Sequence, residues 1–498
     1  MADLDGGTAD ASGTEEDQKI LNLISQTAKK SSYNNSRRQG LDPDTGAKVG
    51  GGGEAASSSG ASSLGKPRAK KRGSFLCGCG SALEAVDEGA GEKRGDDEGV
   101  LRDPANAASY NILHLVGEGG FSKVLLVRAK SGHCNVVGQG VYAAKIIPKA
   151  HLKSAGESFI KATMLERNIL GEFDHPFLLK LYHSFQEKDK LVLVVDYCPG
   201  GSLHTHVNIS LREEGKGFDE AKAAFYVAEI GLGIAHLHSH GIIHRDLKLE
   251  NVLMHGDGHV AVSDFGASKR VQALPLGDCR AGNQPVAPSG APPRAAEVQA
   301  GLAPVQTGPA PPLLAQTKSI VGTPAYMAPE MLLAQPYDFA VDWWALGVLF
   351  FTMLKGRLPF DAAEEDKMLW RIVKSKPRYD PNWNATTMEV LRAMLQKRPT
   401  TRLVNLKTLG KATLYADYDW VKLEARQIPP PYVPKLQADN DRRYVPKRIA
   451  EAAVPDKKLD YKKGDSMQKL FRKFSHRTSF DDEGNAKKVK PPTATQLQ

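Results

Sequence analysis

Two periods of hydrophobic spacing organise the middle of this chain. From residue 110, "YNILHLVGEG", "SKVLLVRAK" and "VYAAKIIPK" are apolar, partly β-branched runs punctuated by glycine, a pattern that predicts strands. "SFIKATMLERNIL" then places apolar residues at helical spacing and stops at the breaker His175-Pro176. "LLKLYHSF" and "KLVLVVDY" complete a predicted five-stranded sheet. Beyond it the period is helical, in "DEAKAAFYVAEIGLGIAHLHSH", "FAVDWWALGVLFFTMLKG" and "TTMEVLRAML". A small β-rich lobe followed by a larger, mainly helical lobe gives an α+β fold.

The pattern fails in two places. The first hundred residues hold only two aromatics, Tyr33 and Phe75, amid runs such as "VGGGGEAASSSGASS". They can bury little apolar surface, so 1–107 is expected to be disordered. Between Val271 and Gln316 stand nine prolines and ten alanines without one aromatic, which reads as a disordered insertion over 272–316. The expected organisation is therefore an N-lobe over 108–197, a C-lobe over 198–415 that carries the insertion, and a tail over 416–498.

Composition narrows the setting. Five cysteines without a spaced framework or a CxxC pair fit a reducing compartment. No run of about 18 apolar residues is present, and the first residues lack the basic and apolar regions of a signal peptide, so a cytoplasmic or nuclear protein is expected. The net charge of +9 sits partly in the flanks, in "KPRAKKR" and "KKVK", with no aromatic stacking platform beside it. Solvated tails account for it better than a nucleic-acid surface.

"GIIHRDLKLENVLM", residues 241–254, crowds His244, Arg245, Asp246, Lys248, Glu250 and Asn251 between apolar runs. Each desolvated polar group needs a partner, so ligands from outside the chain are expected. "GEGGFSKV", Gly117 to Val124, lies between two strands, where glycines let the backbone bend over phosphates; alone, it equally describes a flexible hairpin. Lys145 ends an apolar strand and wants an anion, which Glu166 on the next helix can supply. Asp264 in "VSDFGASK" follows a short strand and suits a hard cation, with Asn251 as a second oxygen ligand. In isolation this acid is also an ordinary turn residue.

In combination these motifs resemble a eukaryotic protein kinase over about 110–415. The resemblance implies that Gly117, Glu118, Gly119, Gly120, Phe121, Ser122 and Val124 cover ATP, and that Val195, Asp196 and Cys198 complete the nucleotide site. It implies that Lys145, paired with Glu166, grips the phosphates, that Asn251 and Asp264 hold Mg²⁺, and that Asp246 accepts the proton of the substrate hydroxyl. Lys248 and "GTPAYMAPE" are similar to serine/threonine kinases, with Thr323 placed to bond Asp246 and Lys248. Glu330 with Arg402 looks like a buried structural pair, and Asp342 like the brace of the catalytic loop. Ser319 stands where relatives are phosphorylated, within reach of Arg245, with Thr317 nearby.

"LERNIL", "HPFLLKLYHSF" and "AVDWWALGV" narrow the resemblance to the AGC group of cyclic-nucleotide- and lipid-regulated kinases. "DWVKLEARQIPPPYVPKL" resembles the tail that wraps the small lobe, and "FRKFSH" at 471–476 the motif whose Phe471 and Phe474 dock there; an inert tail is the alternative. Ser122 replaces the third glycine, and Ser202 and Thr352 stand where basophilic relatives have acids, which weakens selection for arginine in the substrate. The acidic aromatic motif of the tail is not recognisable around Tyr444. Protein substrates and an upstream kinase or regulatory partner follow from the resemblance. A kinase-fold scaffold and a small-metabolite kinase are the competing readings. Finally, "KPRAKKRGSFLCGCG", 66–80, joins basic charge to Phe75, Leu76, Cys77 and Cys79, which suits either weak contact with an anionic membrane, adjustable at Ser74, or a plain basic linker.

Overall fold

The computed structural model describes residues 15–39, 107–119, 122–130, 140–271, 317–452, 471 and 474–477. It opens with helix α1 (Glu15–Gln39), then a short 3-10 turn leads into the small lobe. Strands β1 (Tyr110–Glu118), β2 (Lys123–Ala129) and β3 (Val141–Pro148) form an antiparallel meander. Helices α2 (Lys149–Ala155) and α3 (Glu157–Glu172) interrupt it before β4 (Leu181–Gln186) and β5 (Lys190–Asp196). The sheet order is β1-β2-β3-β5-β4, and β11 (His476–Arg477) adds a sixth strand beside β4.

The expectation of five strands is thus exceeded by one, because the tail returns to pair at the sheet edge. That edge strand covers backbone groups which would otherwise be unpaired. Tyr110, Leu115, Val127, Tyr142, Phe185 and Val194 make a separate cluster on one face of the sheet.

The large lobe contains β6 (Gly201–Ser202), α4 (Leu203–Glu213), α5 (Glu220–Ser239), β7 (Ile242–Ile243), β8 (Val252–Met254), β9 (Val260–Val262) and β10 (Lys269–Arg270). After the stretch 271–328, which the kinase resemblance makes the activation segment, come α6 (Pro329–Leu332), α7 (Ala340–Lys355), α8 (Glu365–Lys374), α9 (Ala385–Met394), α10 (Leu406–Leu409), α11 (Trp420–Glu424) and α12 (Lys447–Ala450). α5 begins where the Asp219 side chain accepts from the Lys222 amide at 2.8 Å. It and α7 are buried over nearly their whole length and pack together at the centre of the core. Both are apolar on most sides, as buried helices are, and the buried Glu229 and His238 of α5 are paired with His259 and Asp342.

One expectation is corrected. Residues Glu15–Gln39, assigned to a disordered N-terminal region, form α1, and its Ile24 and Ala28 are buried against the large lobe. The low aromatic content of the region hid a short amphipathic run, "DQKILNLISQTA", whose aliphatic residues need a partner surface to fold on. The insertion 272–316 and segment 66–80 lie outside the described residues.

Candidate active site

The glycine-rich turn joins β1 to β2, with Gly117 opposite Val124. A Cβ on Gly117 would stand 3.1 Å from the Val124 Cβ, so a side chain there requires Val124 to yield by a few tenths of an ångström. The Gly119 amide donates to the Ser122 carbonyl at 2.8 Å and closes the turn. Glu118 ends β1 beside the tail's Arg448, while Gly120 and Phe121 lie outside the described residues.

Lys145 on β3 donates to Glu166 of α3 at 2.5 Å, and its Nζ stands 3.9 Å from Asp264. Burial opposes its charge, but Glu166 and Asp264 outweigh burial and hold its pKa above that of an ordinary lysine. Asp264 adopts a left-handed backbone, φ 61°, which is uncommon for a residue with a Cβ. Partial desolvation would raise its pKa; the neighbouring Lys145, Lys248 and His244 outweigh it and hold the pKa below that of an ordinary aspartate.

The catalytic loop hangs from Asp342. This buried carboxylate accepts from the amides of His244 and Arg245, each at 2.8 Å, and from His238 Nε2 at 2.8 Å. The His244 ring reaches the Ser263 carbonyl at 3.1 Å and so ties the loop to the strand before Asp264. Thus braced, Asp246 accepts from the Thr323 amide at 2.8 Å, the Thr323 hydroxyl at 2.7 Å and Lys248 Nζ at 2.9 Å. Lys248 also donates to the Thr323 hydroxyl at 2.9 Å. Gly322, φ 109°, permits this closeness, because a Cβ there would collide with the Arg245 carbonyl oxygen.

Asn251 donates from its amide nitrogen to the Asp246 carbonyl at 2.8 Å. That orientation leaves the amide oxygen as its acceptor end. Together with the half-exposed Asp264 carboxylate it makes an oxygen donor set of the type that suits Mg²⁺ carrying phosphate.

Around the activation segment, Arg245 donates to the carbonyls of Ala267 and Ser268, and its Nη1 reaches Ser319 Oγ at 2.5 Å and the Tyr337 hydroxyl at 3.2 Å. Lys269, the last residue of "VSDFGASK" and given no role by the resemblance, donates to Thr317 Oγ1 at 2.6 Å. Burial and the Arg245 charge lower its pKa, the sign of a basic corner that faces hydroxyls rather than an anion. The sequence offers only its fixed offset from Asp264; the strand pairing and the contact with Thr317 come from the fold.

Val195 is buried in β5 and Cys198 is buried just beyond it. Asp196 turns its carboxylate to the Tyr182 hydroxyl at 2.7 Å and the Lys180 amide at 3.1 Å, so that side chain holds the sheet. Ser202 caps α4, and Thr352 is buried with its hydroxyl on the Val348 carbonyl. Phe471 and Phe474 are fully buried against the small lobe. Glu330 and Arg402 make a buried two-pronged pair at 2.7 and 2.9 Å.

The family model described as "Protein kinase domain" matches residues 110–287 and 301–412. Over 433 residues the chain is 30% identical to ribosomal protein S6 kinase alpha-1 of Homo sapiens, covering 82% of this chain and 51% of that one. It is 32% identical over 334 residues to the RAC family serine/threonine-protein kinase homolog of Dictyostelium discoideum, covering 67% and 64%. It is 32% identical over 357 residues to serine/threonine-protein kinase Sgk1 of Danio rerio, covering 71% and 70%. The chain spans between about half and seven tenths of the length of these relatives.

Proposed function

The chain belongs to the protein kinases, in their AGC group, and from that membership we propose that it transfers the γ-phosphoryl group of ATP to serine and threonine hydroxyls of protein substrates in intracellular signalling. The convergence of Lys248 and Thr323 on Asp246 carries this reading. It places a carboxylate and an ammonium on one spot, beside the segment that resembles a peptide-binding surface.

Asp246 orients the substrate hydroxyl and takes its proton as the oxygen attacks the γ-phosphorus, while the bond from that phosphorus to the bridging oxygen of ADP breaks. Lys248 neutralises charge gathering on the moving group, and Lys145, fixed by Glu166, holds the other phosphates. Mg²⁺ accompanying the nucleotide supplies charge neutralisation between phosphates; Asn251 and Asp264 are the residues that would hold it. The preorganisation of these groups by Asp342, Gly322 and α3 lets them act without rearranging during the reaction.

Substrates with basic residues fit Glu250, although Ser202 and Thr352 supply no further acid. An upstream kinase acting on Ser319 fits the basic corner made by Arg245 and Lys269. For location we favour the cytoplasm, with weak contact to anionic membrane through 66–80 as a property to test by liposome flotation. The enzymatic reading is tested by incubating the chain with γ-labelled ATP, Mg²⁺ and a mixed Ser/Thr peptide library. Label on peptide hydroxyls, abolished in Asp246→Asn, supports it; nucleotide binding without transfer would leave a scaffold.

A further inference from the structure

Helix α1 lies across α8, α6 and the Pro324–Tyr326 turn that follows Thr323. Its inward face is Ile24, Thr27 and Ala28, all buried, with the partly buried Ile20 at the edge of the same cluster. They meet a surface that includes Met331, Leu332, Leu369 and Ile372. Two polar contacts fix direction: Ser25 Oγ donates to Asp366 Oδ1 at 2.7 Å, and Lys374 Nζ pairs with Asp17 at 3.2 Å. Asp17 and Ser25 are eight residues apart on α1, as are Asp366 and Lys374 on α8. At about 1.5 Å per residue both spans are about 12 Å, so the two helices run antiparallel in matched register.

This clasp is slight for the site it covers. Few side chains are fully buried in it, and its polar contacts are solvent-accessible, where ion pairs contribute little. The groove, by contrast, is part of the large-lobe core and adjoins the segment that touches Asp246.

We propose that this groove is a docking site for an amphipathic helix of a protein substrate, and that α1 occupies it in competition. The recognised chemistry is what α1 itself presents: an acid opposite Lys374, then aliphatic residues three and seven positions later and a small residue four further on. Tethering gives α1 the advantage of effective concentration over a helix arriving from solution. The docking role rests on the kinase reading, but binding to the groove does not require catalysis.

The test uses the full chain and a labelled helical peptide that carries only Asp, Ile, Ile and Ala at these spacings on an Ala/Glu/Lys background. Ile24→Asp should unseat α1 and tighten peptide binding, read by fluorescence anisotropy, at least tenfold, as expected where α1 leaves the groove free about a tenth of the time or less. Asp17→Lys with Ser25→Asp should act in the same direction from the polar side. Lys374→Glu in the Ile24→Asp chain should weaken binding at least threefold, and exchanging the peptide's Asp for Lys should restore it. Fusing the peptide to a phosphorylatable sequence should lower KM at least tenfold in Ile24→Asp with little change in wild type. Equal peptide affinity in wild type and both released variants, or indifference to Lys374→Glu, would overturn the groove proposal while leaving the kinase reading intact. Regulated binding without phosphate transfer by any chain would overturn the kinase reading and the docking role, leaving only a helix-binding groove.

Discussion

Arg167 of α3 donates from Nε to the main-chain oxygen of Phe474 at 2.9 Å and from Nη2 to that of Ser475 at 3.0 Å, so the C-terminal tail is fastened to the helix that carries Glu166. Ser184 and Gln186 on β4 add hydrogen bonds to the main chain of Phe474 and Phe471 at 2.5 and 3.0 Å. The tail therefore bears on the Lys145–Glu166 pair through the rigid body of α3. Phe474→Ala should remove about 3 kcal/mol of packing, enough to undock the segment. We expect peptide phosphorylation to fall at least tenfold and Tm by a few degrees, measured by label transfer and by calorimetry.

Asp246→Asn retains the volume of the side chain but removes the proton acceptor and the charge opposite Lys248. Phosphoryl transfer should drop by about 10²-fold or more, with Tm within a few degrees of wild type. Turnover within tenfold of wild type, in a chain whose identity is checked by mass, would count against the proposed mechanism.

Arg402→Met should be far worse for folding than for chemistry. It leaves the Glu330 carboxylate buried without its guanidinium, at a cost of about 3–5 kcal/mol. Adding Glu330→Gln should recover part of that loss in urea unfolding, because the uncompensated charge is then gone.

Lys397 gives a pH dependence whose sign follows from its burial. Its Nζ lies 3.9 Å from the centroid of the Phe360 ring; burial, with a smaller contribution from Arg402, pushes its pKa down to about 7. In the unfolded chain the amine keeps its proton to about pH 10.4. Between those values the unfolded state binds more protons, so this group makes stability rise with pH from about 7 to about 10, while below 7 both states hold the proton and its contribution levels off. Thermal scans from pH 6.5 to 9 should show a rising Tm in wild type, with that rise reduced in Lys397→Met.

Ser319 and Lys269 show where motif reading stopped. Ser319 was legible because it stands at a fixed offset before Gly322, whereas Lys269 meets Thr317 because two separate pairings, β10 with β7 and Thr317 with Tyr337, set the two residues side by side. In the same way, β3 and α3 could be read from local periodicity, and Lys145 and Glu166 then met as expected. α1 could not, since its burial depends on α8, more than three hundred residues away. A phosphate on Ser319 adds about 1.5 to 2 negative charges to the basic corner. Ser319→Ala should cut kcat/KM at least tenfold, and Lys269→Gln should weaken activation by the same phosphate, as judged by phosphopeptide mapping beside the activity assay.

The insertion 272–316 should be dispensable for basal transfer. Its flanks are fixed by contacts that do not involve it: the Val271 amide donates to the Gly241 carbonyl at 2.7 Å, and Thr317 exchanges backbone hydrogen bonds with Tyr337 at 3.0 Å. Lys269 Nζ touches Thr317 Oγ1 at 2.6 Å, so the two flanks stand within one lysine side chain of each other. A handful of residues can bridge that gap, since an extended chain covers about 3.3–3.6 Å per residue. Deleting 275–312 shortens the loop by between two and three doublings, and loop closure then becomes easier by about 1.5 kcal/mol. The shortened chain should keep peptide phosphorylation within about threefold of wild type and unfold at an equal or slightly higher temperature. Loss of transfer, or a Tm lowered by more than a few degrees, would instead assign the proline- and alanine-rich segment a structural part in the activation segment.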